Sequence, residues 1–315
     1  MLLVTFLRRL TLIRALCLLL ALAAVLAAAG FFYLRADYTG VFLRNRGALV
    51  QVREEFLHTD PLFDNFQVVL TDSNGGEVTC LVRAPRNPRG RQPAILAIDG
   101  YDWGKKVVSL FEDTSYAVLI SFDWPDDKGT RYQGMNIGPF LVHIRRALMR
   151  MVSMVPVVVD YLERRPDVDP EKILVVGASL GVPIAVDAAA IDPRLRAAIL
   201  LYGGGNLTKL AEHGARATVP QGWKRKVMGW WVGAALAPGE PLKYVGRISP
   251  RPVLMINGNE DESIPRECVL ALYGMAREPK ELIWLETSHV APEMRELVGR
   301  MEQIVGQWTE EHDLR

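Results

Sequence analysis

The stretch Ile173-Leu174-Val175-Val176-Gly177-Ala178-Ser179-Leu180-Gly181 decides the fold that we expect for this chain. It opens with a run of apolar, mostly β-branched residues, which predicts a buried strand. A Gly-x-Ser-x-Gly motif follows at once, and the small residues from Val182 to Ala190 favour a helix. In this turn Gly177 and Gly181 would leave room where a Cβ would clash. The Ser179 hydroxyl would then stand above the strand end, at the positive end of the helix.

The motif alone also fits an ordinary glycine-rich turn, so the residues that follow later strands carry the argument. Asp261 comes after the predicted strand Val253–Ile256, and His289 comes after the predicted strand Leu282–Leu285. The order along the chain is nucleophile, acid and base. This order is expected on a parallel sheet whose nucleophilic serine lies in a turn between a strand and a helix. His289 would take the proton of Ser179, and Asp261 would orient the imidazole.

The sequence offers other carboxylates and other histidines for the acid and the base. Glu260 and Glu262 flank Asp261, but the spacing of Asp261 from neighbouring Gly258 and Pro265 favours it. Four further histidines lie before or between the predicted strands or in the tail, and we interpret them as structural or exposed. They are His58, His143, His213 and His312.

Predicted strands alternate with helices from Ala94 onward, which indicates an α/β fold with a mostly parallel central sheet and helices on both faces. An antiparallel hairpin should open it, because the strand-like segments Phe66–Leu70 and Val78–Val82 flank a turn-rich stretch. We expect a stalk at 36–65 and the main domain at 66–315. A long insertion at about 206–249 should form a helical cap.

The N-terminal residues 1–35 are predicted to be a signal anchor. The segment from Ala15 to Leu34 carries no charge and is long enough to cross a bilayer as a helix. Arg8, Arg9 and Arg14 precede it, which favours a domain outside the cytoplasm. The alternative is a secreted protein with a signal peptide cleaved near Ala27-Ala28-Ala29.

Composition excludes some classes of partner. The chain has 315 residues, with 37 Lys and Arg against 36 Asp and Glu, so its net charge is +1. Such a balance gives no basic field for nucleic acid. Only three cysteines are present, and we interpret Cys80 and Cys268 as buried free thiols. No spacing of Cys and His predicts a metal site.

The chain resembles the α/β-hydrolase-fold serine hydrolases. Three blocks carry the resemblance: Gly177-Ala178-Ser179-Leu180-Gly181, Gly258-x-x-Asp261-x-x-Ile264-Pro265, and His289 after the last strand. In style it is similar to dienelactone hydrolases, acyl esterases and the catalytic domains of prolyl-oligopeptidase-like enzymes. It departs from many relatives in having Asp99 before Gly100, where they have His-Gly, and Ser288 before the histidine, where they have glycine.

The resemblance implies an acyl-enzyme reaction on an ester, a thioester or a similar acyl bond, with no cofactor. A peptidase or amidase of the same fold remains the alternative, as does a non-catalytic binding protein. The substrate would be a small or lipid-like acyl compound, and the oligomeric state stays open.

The oxyanion hole should use the backbone N–H of Leu180 and one N–H after the strand Ala94–Ile98, for which Tyr101 is the candidate. Gly100 and Trp103 are candidate substrate-binding residues beside it. Trp230 and Trp231 in the insertion follow the basic run Lys224-Arg225-Lys226. They would either lie at a membrane interface, where a cap that touches lipid could gather an acyl substrate directly, or pack onto the core.

Overall fold

The computed structural model describes residues 2–88, 90–100, 103–125, 137–291 and 293–315, and the side chains of all of these except 2–13, 15 and 137. The chain forms two compact units, Met1–Asp37 and Tyr38–Arg315. The first contains helix α1, whose segment Leu16–Arg35 has 20 residues and a mean hydropathy of 2.5. This length and composition allow a helix to cross a membrane, although signal sequences share both properties.

The second unit alternates strands and helices along the chain. Its strands are β1 Leu49–Thr59, β2 Phe63–Asp72, β3 Glu77–Pro85, β4 Gln92–Ile98, β5 Val118–Phe122, β6 Val168–Ala178, β7 Leu195–Leu201, β8 Val253–Gly258 and β9 Lys280–Leu285. The helices, after α1 Leu2–Arg35, are α2 Thr39–Asn45, α3 Ile137–Arg164, α4 Gly181–Ile191, α5 Leu207–Gly214, α6 Gly222–Leu236, α7 Arg266–Met275 and α8 Arg295–Glu311.

The strands form one sheet in the order β1-β2-β3-β5-β4-β6-β7-β8-β9. β1, β2 and β3 are antiparallel to their neighbours, whereas all pairs from β5 to β9 are parallel. Helices α2, α3, α4 and α7 contribute buried residues to the core on one face. A short 3-10 helix, Gly104–Leu110, and α8 do so on the other. The expected α/β architecture and the opening hairpin are confirmed.

The segment 36–65 differs from the stalk that we predicted. It contains α2 and β1, and Phe42 is fully buried in the core. β1 pairs with β2 at the edge of the sheet, where every residue after Leu49 is exposed on both faces. Apolar and polar residues alternate in this edge strand only from Val50 to Arg53, so the pattern that marks a strand was too short to predict it.

The register of the parallel strands brings three loops to one edge of the sheet. Ile98 lies opposite Gly177, so the residues after β4 lie beside the turn that carries Ser179. Ala178 lies opposite Leu201, and Gly258 lies opposite Leu285. The loops that follow β6, β8 and β9 therefore meet at the carboxyl ends of the strands, where ligands bind in sheets of this type.

Candidate active site

Ser179 lies in the tight turn between β6 and α4. Its φ is +50°, in the left-handed region that non-glycine residues rarely adopt, and its N–H donates to Leu201 O over 2.9 Å. A Cβ on Gly177 would lie 2.6 Å from Ala185 Cβ, and one on Gly181 would collide with the carbonyl oxygen of Ile98. The expectation that both glycines make room for the turn is confirmed.

Ser179, His289 and Asp261 form a continuous chain of short contacts. Ser179 Oγ is 3.1 Å from His289 Nε2, and His289 Nδ1 is 2.8 Å from Asp261 Oδ2. The side chain of Asp261 is only 2% exposed and that of His289 18%. A serine, an imidazole and a buried carboxylate in this arrangement can generate a nucleophile at neutral pH.

Tyr202 is a neighbour of the site that the sequence reasoning missed. It is fully buried directly after β7, and its ring meets the His289 ring edge to face at 5.9 Å between centroids. Its hydroxyl is 2.5 Å from Thr287 Oγ1, two residues before His289. Burial raises the pKa of this phenol, with the hydrogen bond to Thr287 acting in the opposite direction. Tyr202 therefore supports the imidazole from the side. Its place after the strand next to β6 was the available signal.

Glu262 is a second neighbour that we had set aside. Its carboxylate accepts the backbone N–H of His289 over 3.2 Å, and its carbonyl oxygen is 2.7 Å from His213 Nε2 in α5. The loop after β8 thus holds the backbone of the histidine loop and one helix of the insertion at the same time.

The backbone groups proposed for an oxyanion hole fall partly outside the described residues. Leu180 is the residue before α4, so its N–H lies at the amino end of that helix, where N–H groups have no partner within the helix. Tyr101, the other candidate, lies outside the described residues.

A cavity of about 240 Å³ opens beside Ser179 and His289. Gly100 and Trp103 contribute to its wall, as expected from the sequence. It extends along β4 from Ile98 to Ile95, three residues or about 10 Å. The wall is mostly apolar and comes from β4, β6, the segment 103–116 and α8. The lining residues of its deep part include Ile95, Val107, Phe111, Thr114, Met301 and Val305.

Two carboxyl groups also face this cavity. Burial raises the pKa of Asp99 next to the serine, while the N–H of Gly100 and the charge of His289 act to lower it. Burial likewise raises the pKa of Glu302 at the far end. Glu302 accepts a hydrogen bond from Thr114 Oγ1 over 2.6 Å and others from the N–H groups of Glu112 and Asp113. It ties α8 to the loop that closes the cavity.

Trp230 and Trp231 do not belong to this cavity, and none of its described lining residues comes from the insertion at 206–249. Both lie on α6 and are more than half exposed. Their exposure contradicts the alternative that they pack onto the core, and their contact with lipid or with a lipid-like substrate outside this cavity stays a prediction. Among the described residues no cluster of three or more His, Cys, Asp or Glu could hold a metal ion.

The model of the Dienelactone hydrolase family matches residues 143–273, a segment that includes Ser179 and Asp261 and ends before His289. The uncharacterized protein YfhR of Salmonella typhi is 28% identical over 136 residues, and that of Escherichia coli K12 is 28% identical over 127 residues. The aligned part is 40% of this chain in both cases, and 43% and 40% of those relatives, so less than half of each relative is matched.

Solved structures match over a much larger part of the chain. Acetyl xylan esterase 1 from Thermoanaerobacterium sp. JW/SL YS485 has a TM-score of 0.61 at 16% identity, covering 84% of this chain and 90% of that one. The acetyl xylan esterase from Paenibacillus sp. R4 has a TM-score of 0.62 at 17% identity, covering 87% and 93%. This protein has the α/β-hydrolase fold.

Within the α/β-hydrolase fold, a putative dienelactone hydrolase from Klebsiella pneumoniae is also similar, with a TM-score of 0.51 at 17% identity and coverage of 76% and 87%. The resemblance drawn from the sequence blocks around Ser179, Asp261 and His289 is therefore confirmed for the fold. Identities this low say nothing of the substrate.

Proposed function

We propose that this α/β-hydrolase-fold protein is a membrane-anchored serine hydrolase that cleaves an ester, a thioester or a similar acyl bond. The single observation that carries the proposal is the chain of contacts from Ser179 through His289 to Asp261. The match to the dienelactone hydrolase family and the similarity to acetyl xylan esterases support a hydrolase.

In the proposed reaction, Ser179 Oγ attacks the acyl carbon while His289 Nε2 accepts the hydroxyl proton. His289 then donates this proton to the leaving group, and an acyl-enzyme remains on Ser179. A water molecule, deprotonated by His289, releases the acid in the second half. Asp261 holds the imidazole in the tautomer with a proton on Nδ1. The N–H of Leu180 and one N–H after β4 would stabilise the oxyanion.

The apolar cavity is the proposed site of the acyl group. A cavity of about 150 Å³ in another protein holds benzene, so about 240 Å³ accommodates an acyl group larger than acetyl. Burying such a chain contributes about 0.8 kcal/mol per CH₂. The cavity therefore favours an apolar acyl chain of medium length over a charged one.

The membrane part of the proposal rests on Leu16–Arg35. An uncleaved anchor and a cleaved signal sequence differ in mass, so mass spectrometry of the N-terminus of the purified protein distinguishes them. We expect the anchor, because the apolar segment continues past the candidate cleavage site at Ala27-Ala28-Ala29.

A fluorophosphonate probe tests the hydrolase directly. The parent chain should be labelled and Ser179→Ala should not, while both keep the same thermal unfolding temperature. Ser249→Ala is the matched control, because Ser249 lies before the amino end of β8 and donates to Glu278 O, far from the loops of the site. Labelling that survives Ser179→Ala contradicts the proposal. A panel of esters, thioesters and anilides then separates the esterase from the amidase alternative.

A further inference from the structure

Helix α6 exposes a continuous apolar surface, here called the tryptophan face, made of Trp223, Val227, Trp230 and Trp231. These side chains are 67, 48, 52 and 58% exposed. Trp230 and Trp231 stack edge to face at 5.1 Å between centroids. Three tryptophans exposed by about half present roughly 300 Å² of aromatic surface. An apolar patch of this size matches the largest patch on a typical monomeric protein, and such patches are often functional.

The opposite side of α6 explains why the tryptophans point outward. A Cβ on Gly229 would lie 2.7 Å from the carbonyl oxygen of Thr208, and one on Gly233 would collide with the Thr208 side chain. The glycines thus let α6 pack closely on α5. At about 100° per residue, the tryptophan face and this glycine side lie on different sides of the helix. In the part of the chain that the structure describes, the packing that builds the insertion covers less than half of each of these tryptophans.

The charges next to the tryptophan face are basic. By the same helical spacing, Lys224 and Lys226 flank it, one on each side. Both are exposed, and Lys224 Nζ lies 5.7 Å from the centre of the Trp223 ring. Arg225 points elsewhere, because its guanidinium donates to the carbonyl oxygens of Val219 and Pro220. Aromatic and aliphatic side chains bordered by lysines are typical of helices that lie in the interface of an anionic membrane.

The carboxyl end of α6 lies next to the first residue of the domain. Tyr244 Oη accepts the N–H of Tyr38 over 3.1 Å and donates to Pro238 O over 3.0 Å, two residues after α6 ends. Arg247 donates to Thr39 Oγ1 over 2.8 Å. Trp231 is six residues before Ala237, or about 9 Å along the helix. The carboxyl end of α6, which carries Trp230 and Trp231, therefore lies close to Tyr38, the first residue of the second unit.

We propose that the tryptophan face binds the surface of the bilayer in which Leu16–Arg35 is anchored, with Lys224 and Lys226 contacting anionic headgroups. This rests on the membrane anchoring of the proposed function. The contact between His213 in α5 and Glu262 links the insertion to the loop that carries Asp261. A domain held by α6 would thus keep the site near a pool of acyl lipids.

The experiment uses the full chain with Cys17→Ala and a nitrobenzoxadiazole fluorophore on Val227→Cys. The two other cysteines, Cys80 and Cys268, are buried. The matched control carries the fluorophore on Leu270→Cys, an exposed apolar position of α7. Both proteins are reconstituted into vesicles of equal parts phosphatidylcholine and phosphatidylglycerol, with and without nitroxide-labelled lipid. We expect a blue shift and several-fold stronger quenching at 227 than at 270, weakened by Lys224→Glu with Lys226→Glu.

The outcomes separate this proposal from the proposed function. Failure of the full chain to float with vesicles overturns both the anchoring and the bilayer contact. Flotation with equal quenching at 227 and 270 overturns the bilayer contact alone. A blue shift at 227 that depends on protein concentration and not on lipid also overturns it, because it indicates contact with a second copy of the chain. If position 227 is quenched but the protein hydrolyses no ester, the bilayer contact is supported and only the hydrolase proposal is contradicted.

Discussion

The carboxylate of Asp261 divides its two oxygens between His289 and its own loop. Oδ2 lies 2.8 Å from His289 Nδ1, whereas Oδ1 accepts the N–H groups of Ser263 and Ile264 over 2.8 and 2.9 Å. The loop after β8 therefore fixes the direction of the oxygen that meets the imidazole. Glu262 in the same loop instead accepts the backbone N–H of His289, and it is Asp261 that meets the ring.

The first prediction concerns this carboxylate. Asp261→Asn should lower kcat/KM for an ester on the order of 10⁴-fold, because an amide favours the wrong imidazole tautomer. The unfolding temperature of this variant should change little, and its labelling by the fluorophosphonate probe should become slow. The matched control is Glu260→Gln in the same loop, with activity close to that of the parent. Equal losses in the two variants, in stopped ester assays, would rule out a special role for Asp261.

The second prediction tests the turn around Ser179. Gly181→Ala places a methyl group against the carbonyl oxygen of Ile98, which belongs to a central strand and has no room to move. We expect a loss of about 3 kcal/mol or more in the free energy of unfolding, together with loss of activity. Gly299→Ala is the control, because nothing lies within 4 Å of its added Cβ in α8. It should be stabilising by about 0.5–1 kcal/mol. Denaturant unfolding of both variants checks this, and a stable, active Gly181→Ala would contradict the geometry.

The third prediction concerns the length of the acyl group. Val305 lines the deep part of the cavity, so Val305→Phe should fill it. Turnover of octanoyl esters should fall at least tenfold relative to acetyl esters, because the longer chain loses its site. Ile304→Phe on the same helix is the control, since Ile304 is not among the lining residues of the cavity. Parallel losses on short and long esters would instead indicate a general disturbance of the core.

The fourth prediction uses Asp187 in α4, which is fully buried and has no hydrogen-bond partner among the described residues. Burial raises its pKa well above the usual value, Glu240 adds to this, and Lys243 and Arg247 oppose it. The folded state therefore binds the proton more tightly than the unfolded one. The stability from this group is complete below the unfolded pKa of about 3.9 and is lost as pH rises through the folded pKa.

Asp187→Asn removes this dependence. The free energy of unfolding of the variant should rise relative to that of the parent as pH increases from about 4 towards neutral, by about 1–3 kcal/mol. Thermal unfolding of parent and variant in one detergent, measured at several pH values over this range, checks this difference. The exposed substitution Glu296→Gln serves as the control and should follow the parent at every pH. A difference that stays constant with pH would exclude a raised pKa at Asp187.

The fifth prediction concerns topology. Arg8, Arg9 and Arg14 precede the apolar segment, so we expect the hydrolase domain outside the cytoplasm. Alkaline phosphatase fused after α8 should be active, whereas a green fluorescent protein at the same point should be dark. Changing these three arginines to glutamine should weaken this preference, since Arg35, Arg44 and Arg46 on the other flank oppose it. The reverse pattern of reporter activity would place the domain inside.

The main sheet and the contacts of Ser179, Asp261 and His289 could be predicted because their signals are local or follow from strand order. Gly177 and Gly181 have to be glycine for a turn this tight, and each later polar residue directly follows a buried strand. Parallel strands bring their carboxyl ends to one edge, so the order of the chain was enough to bring the three side chains together.

Other features depend on contacts between residues far apart in the sequence. The cavity lies between Ile95 on the sheet and Val305 on α8, and its depth follows from how α8 packs, which no local pattern encodes. Tyr202 meets His289 only because β7 pairs with β6.

The exposure of Trp230 was likewise decided by tertiary structure. A tryptophan in a sequence is equally suited to a core and to a surface that binds an apolar partner. The close packing of Gly229 against Thr208 turns the tryptophans of α6 away from the domain. The sequence determined which residues could react, because each reactive group is a single side chain that directly follows a strand. The tertiary structure decided which surfaces are buried, because a surface is buried only by contact with an element that lies far away in the sequence.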